Sequence, residues 1–320
     1  MANRLLTFAR LAYEVARRSV PDRRHRFAPK RYTQPQLLAC VLLKEYLRLD
    51  YRTAREAIEL SGPLRETLGL RTVPDHTTLW RFAQAGATPE VVATALVETV
   101  ALLKESGRGA ESGTDPPLVA IDSTGLFCGH ASRYFEQRRA KGAPSTHRAR
   151  AYQKWAAALW TGPQLVTAQL SKPGPCGDYP DLPPLAEQSV ASVPGARILA
   201  DAGYDSEANH TFCRDVLGVD SLIPAKTRRY VAGPRGRYRA EMVTALGCAT
   251  LGVAGQPGPR ATYGQRWLVE TLMSVVKRKW GEALTARLPA MQEAQALLRG
   301  LVYNLYRLVV LGVQPTFASP

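Results

Sequence analysis

The stretch LVAIDSTGLF, residues Leu118 to Phe127, follows the pair Pro116–Pro117 and sets four apolar residues directly before an aspartate, Asp122. A short apolar run bounded by prolines and a glycine reads as a buried strand. The same arrangement returns in ARILADAGY (196–204), a second apolar run that ends in Asp201. Between them KWAAALW (154–160) and LVTAQLS (165–171) read as strands around the turn TGPQ. The proline-rich loop KPGPCGDYPDLPP leads to a short helix near Leu185–Ser192. SEANHTFCRDVLG then reads as a helix and VDSLIPAK as a further strand. Strands fill this middle part and helices the end, so the body is α/β or α+β.

Residues 1–105 read as helices instead: LLTFARLAYEVARR, QPQLLACVLLKEYLRL, YRTAREAIELS, TTLWRFAQA and PEVVATALVETVALLKE. Asp75 or Thr77 is the expected cap of the helix near Thr78. Three short helices with a turn between the last two resemble a DNA-binding helical unit. GRGAESGTDPP (107–117) is a linker by composition. The expected organisation is a helical domain over 1–106, the linker at 107–117, an α/β domain over 118–313 and a tail at 314–320.

The chain has 320 residues, 45% of them hydrophobic, enough for a substantial core. Its net charge of +15 points to a polyanionic partner, nucleic acid or an acidic membrane surface. The most apolar stretch, LVYNLYRLVVLGV (301–313), is broken by Asn304 and Arg307, which argues against a membrane span. Charged residues run through MANRLLTFARLAYEVARR where a secretory signal would be apolar. The cysteines at 40, 128, 176, 213 and 248 are far apart and form no CxxC pair. They are expected to be reduced thiols of a cytoplasmic protein.

Asp122 and Asp201 each close an apolar run, and a carboxylate at the end of a buried strand is costly unless something compensates it. If the two strands are neighbours the two charges repel, and a cation must hold them. An arginine is one solution. Magnesium is another, since it takes oxygen ligands from a few carboxylates together with substrate phosphates.

A third carboxylate comes from ATYGQRWLVETLMSVVKRKW (261–280). At helical rotation Tyr263, Arg266, Glu270 and Lys277 fall within an arc of roughly 60°. Val269, Met273, Val276 and Trp280 make a neighbouring apolar stripe, a plausible core side. Alone, Arg266–Glu270 is an ordinary i,i+4 ion pair. On a helix packed against the sheet, Glu270 would be a third oxygen ligand beside the two aspartates.

Tyr263, Arg266, Glu270 and Lys277 match without a gap the Y-R-E-K signature of the insertion-sequence DDE transposases. LVAIDSTGL resembles that family's first-aspartate strand and LADAGYDS its second. The run from Tyr51 to Phe82 resembles the helical region that precedes the catalytic domain in many members. This resemblance implies a ribonuclease-H-like mixed sheet flanked by helices, preceded by an all-helical N-terminal domain. It implies that Asp122, Asp201 and Glu270 are the catalytic, metal-binding triad, holding two Mg2+ ions, with Mn2+ able to substitute. Tyr263, Arg266 and Lys277 would then face the DNA backbone near the scissile phosphate. The implied partners are double-stranded DNA, as terminal inverted repeats and as target, and a second copy of the chain on paired ends. The implied setting is the cytoplasm, at the nucleoid. The interval from Asp201 to Glu270 is too short for the large strand-rich insertion that some relatives place there.

Two basic segments are expected to neutralise phosphates, with affinity falling steeply as salt rises. One is 133–154, with Arg138, Arg139, Lys141 and Lys154 among its cations. The other holds Lys226, Arg228, Arg229, Arg235, Arg237 and Arg239 with no acid among them. Trp155, Trp267, Tyr230 and Tyr238 are candidates for stacking on bases, with packing the commoner role for each. Two further readings stand beside an active transposase. One is a transposase-derived DNA-binding protein that has lost catalysis; the other is a metal-dependent nuclease without strand transfer.

Overall fold

A computed structural model describes residues 3–23, 25, 27, 31–108, 115–128, 152–226, 236–247 and 258–315. The chain divides into two compact units, Met1–Glu111 with Arg278–Pro320, and Ser112–Lys277.

In the first unit the described helices are α1 (Arg4–Ser19), α2 (Gln34–Leu47), α3 (Tyr51–Leu60), α4 (Gly62–Thr67), α5 (His76–Gly86) and α6 (Pro89–Glu105). Their starts follow from capping residues. Thr33 and Gln36 make a reciprocal capping box on α2, and Asp50 caps α3. Of the two expected caps for the fifth helix, Asp75 is the one used. The last described helix, α12 (Pro289–Val310), packs against α6, α1, α2 and α5, whereas the sequence assigns 118–313 to a single domain. Its buried Asn304 donates to Thr99 Oγ1 at 2.8 Å, so a polar group in the most apolar stretch is satisfied inside the bundle. Among the described residues no single helix is long and apolar enough to cross a membrane. Helices α5 and α6 reach that length only together, across an 89° bend.

The second unit contains β1 (Leu118–Phe127), β2 (Tyr152–Trp160), β3 (Leu165–Pro173), α7 (Leu182–Ser192), β4 (Arg197–Ala200), α8 (Glu207–Thr211) and β5 (Ser221–Leu222). The described helices that follow are α9 (Arg237–Gly247), α10 (Pro259–Gly264) and α11 (Trp267–Trp280), whose last three residues count with the first unit. The five strands form one sheet in the order β3-β2-β1-β4-β5. β1 pairs antiparallel with β2 and β2 with β3, while β1–β4 and β4–β5 are parallel. This is the mixed sheet expected from the sequence. Continuous apolar runs mark strands covered on both faces, and β2 is buried along nearly its whole length. Helix α7 covers part of β3, β2 and β1.

Candidate functional site

The register of the sheet brings the two aspartates together. In the parallel pair β1–β4 the last registered partners are Ile121 and Ala200. One step further along stand Asp122, within β1, and Asp201, just past the end of β4, and the charge of Asp201 is felt at Asp122. Each carboxylate is held by a backbone N–H just after it. Ser123 N–H donates to Asp122 Oδ1 at 2.7 Å, and Gly203 N–H donates to Asp201 Oδ1 at 2.7 Å. Asp201 thereby caps the 3-10 turn Ala202–Tyr204.

The helix expected to run unbroken through residues 261–280 is two helices. Gly264 ends α10, and Gln265 and Arg266 form a turn before α11. The N–H groups of Gln265, Arg266, Leu268 and Val269 bond to carbonyls three residues back, so the backbone tightens there. A single 100° rotation across this turn does not hold. The polar groups nevertheless converge. Arg266 donates to Glu270 and lies 3.4 Å from Asp122 Oδ2, and the guanidinium stands 6.0 Å from the centre of the Tyr263 ring. Val269, Leu272 and Val276 bury the inner side of α11. Half-buried Lys277 lies two turns beyond Glu270 along the same side of α11.

The electrostatics join these groups into one site. Burial pushes the Asp122 carboxyl above its usual range. The Ser123 N–H and Arg266 oppose that shift, while the charges of Asp201 and Glu270 add to it. Tyr263 is likewise raised, first by burial and further by Asp201 and Asp122, against the lowering effect of Arg266. Of the two compensations open from the sequence, the arginine is present in this structure. Among the described residues no three His, Cys, Asp or Glu side chains are drawn together closely enough for a metal ion. The donor set is still that of a hard divalent cation: carboxylate oxygens from the middle of β1, from just past the end of β4 and from a helix, with the charges of Asp201 and Glu270 felt at the half-buried Asp122.

Other residues singled out in the sequence are placed as follows. Lys226 donates its N–H to Asp205 Oδ2, and its exposed Nζ lies 3.4 Å from Gly203 O, beside the second aspartate's turn. Arg237 is strongly exposed and pairs with Glu241 at 3.4 Å. Arg239 is bound to the buried Asp205 carboxylate at 2.7 Å. Arg138, Arg139, Lys141, Arg228, Arg229, Arg235 and Tyr230 lie outside the described residues. Trp155 is fully buried and donates to Gln169, so its role is packing.

Lys154 requires a correction. Expected among the phosphate-neutralising cations, it is 4% exposed and lies 2.6 Å from Asp178 and 2.8 Å from Asp181. Both acids were missed. The signal was available: a lysine inside the apolar strand YQKWAAALW needs a buried anion, and GDYPD supplies two.

A family model described as transposase DDE domain matches residues 113–305, more than half of the chain and all of the strands described above. None of the curated proteins matches the chain.

Proposed function

The chain belongs to the DDE transposases, with the ribonuclease-H-like fold of that family, and on that premise we propose that Asp122, Asp201 and Glu270 are its catalytic triad. Transposases act on DNA and the family uses divalent metals such as Mg2+. The observation that carries the assignment is geometric: the β1–β4 register sets Asp122 beside the chain that leads into Asp201, and Arg266 bridges Asp122 to Glu270 on α11.

In this reading the three carboxylates would hold two Mg2+ ions, or Mn2+ in their place. Bound there, divalent metal would activate water towards a phosphodiester and stabilise the departing oxygen. The rest falls to the chain itself. Ser123 and Gly203 fix the two aspartates through their N–H groups. Arg266, paired with Glu270 and 3.4 Å from Asp122, would meet the DNA backbone together with Tyr263 and Lys277. Lys226 and Arg237 add exposed cations; Arg138, Arg139, Lys141, Arg228, Arg229 and Arg235, which lie outside the described residues, are proposed to neutralise phosphates on their charge alone. Arg239 holds Asp205 and shapes that surface. Water attacks the phosphodiester at the element's terminal repeat, leaving a 3′-hydroxyl on the element and a 5′-phosphate on the flanking strand; that hydroxyl then attacks a phosphodiester of target DNA, joining the two and displacing a target 3′-hydroxyl. Cutting two ends calls for a dimer of the chain, working on DNA in the cytoplasm.

The test is a nicking and joining assay with terminal-repeat DNA, plasmid target and Mg2+. Wild type is expected to nick at the repeat boundary and to join the ends to plasmid. Asp122→Asn, Asp201→Asn and Glu270→Gln should each abolish both steps, a loss of several orders of magnitude, while DNA binding persists. Cleavage without joining would mark a nuclease. Binding with neither step would mark a silent DNA-binding descendant.

A further inference from the structure

A fourth carboxylate stands against the site. Asp178 immediately precedes the 3-10 turn Tyr179–Asp181. Its Oδ1 accepts from Ser123 Oγ at 2.7 Å and lies 2.6 Å from Lys154 Nζ. Its Oδ2 faces Gly203: a Cβ at that glycine would stand 3.1 Å from it and 2.7 Å from Asp201 Oδ1. The two carboxylate oxygens are therefore separated by no more than those distances added.

Ser123 and Gly203 are the two residues whose N–H groups hold Asp122 and Asp201. One carboxylate thus abuts both holders. A second observation ties the same two loops. The buried Asn209 amide donates to Tyr179 O at 2.9 Å and to Tyr204 O at 2.8 Å, joining the Asp178 turn to the Gly203 turn. Lys154 anchors the arrangement from below, shared between Asp178 and Asp181, and Lys172 also pairs with Asp181. Burial would push Asp178 up, yet hydrogen bonds from Lys154 and Ser123 outweigh it and hold the group ionised.

We propose that Asp178, anchored by Lys154, is a positioning residue that fixes the spacing of Asp122 and Asp201 and thereby the affinity of the site for divalent metal. This rests on the reading of those aspartates as metal ligands. Hydrogen-bonded neighbours of metal-binding carboxylates set their orientation, and losing one costs about 10–100-fold in affinity or activity.

The experiment uses the full chain and Mn2+ alone, with binding read by electron paramagnetic resonance and folding by thermal unfolding. End cleavage is measured in parallel. Asp178→Asn and Ser123→Ala should each weaken Mn2+ binding about tenfold, with DNA-end affinity unchanged. Ser123→Thr, which keeps the hydroxyl on a β-compatible side chain, should restore wild-type binding. Unaltered Mn2+ affinity in Ser123→Ala, or a threonine variant no better than alanine, overturns the proposal. So does an Asp178→Asn variant that melts earlier but binds Mn2+ normally. If Asp178→Asn fails to fold, the Ser123 pair decides. Asp122→Asn is run alongside. If it binds Mn2+ like wild type, the metal-site reading falls and this proposal with it; if it loses Mn2+ while Ser123→Ala does not, only the positioning role falls.

Discussion

Asp122 carries a conflict that the folded chain only partly resolves. Its carboxyl is raised by burial and by two neighbouring acids, against the Ser123 N–H and Arg266. The folded state therefore holds this proton more tightly than the unfolded chain does. Stability must fall as pH rises through the interval between the ordinary and the raised value. Asp122→Asn removes the charge, so without divalent metal it is expected to melt higher than wild type at neutral pH. The gap should close as pH falls below the ordinary carboxylate range, where wild type is protonated as well. A variant that melts lower at neutral pH would contradict this, and melting curves across pH decide it. Both aspartates could be read from the sequence because a charge that closes an apolar run demands compensation. Lys154 was misread for a related reason. A lysine at the edge of a basic segment looks solvated, and that reading overrode the other local signal, its place inside an apolar strand, which calls for the acidic partners that Asp178 and Asp181 provide.

Elements carry the site's precision. The turn after β4 places Gly203 where a methyl group would meet Asp201 Oδ1 at 2.7 Å and Asp178 Oδ2 at 3.1 Å. Carboxylate ends can swing aside, so Gly203→Ala is expected to leave the melting temperature nearly unchanged. It should still cut DNA cleavage by about two orders of magnitude, as displacements of about 1 Å in reacting groups do. Cleavage at the wild-type rate would show that the close approach has no role. The strands β1, β2 and β3 and the helix α7 stand close to where apolar runs and turn residues put them, since those signals are local. The break between α10 and α11 was hidden. Periodicity does not distinguish bonds four residues back from bonds three residues back, and Gly264, a weak helix former, was its one local mark.

At the scale of the whole chain, the net charge of +15 and the ordered trio of acids point the same way: a protein that brings phosphates to carboxylates. What the sequence withheld is long-range. The helix Pro289–Val310 packs with the N-terminal helices, and no feature of its own pattern names those partners. The Arg266 bridge to Asp122 joins residues far apart in the chain and depends on a turn that periodicity cannot place. The central claim is that Asp122, Asp201 and Glu270 hold catalytic metal together, with Glu270 exchanging its Arg266 partner for the metal. Anomalous diffraction from crystals soaked in Mn2+ tests it most directly. The expected result is a manganese peak bounded by oxygens of all three carboxylates, with Glu270 released from Arg266. Manganese bound elsewhere, with Glu270 still on Arg266 and the aspartate oxygens turned apart, would contradict the account.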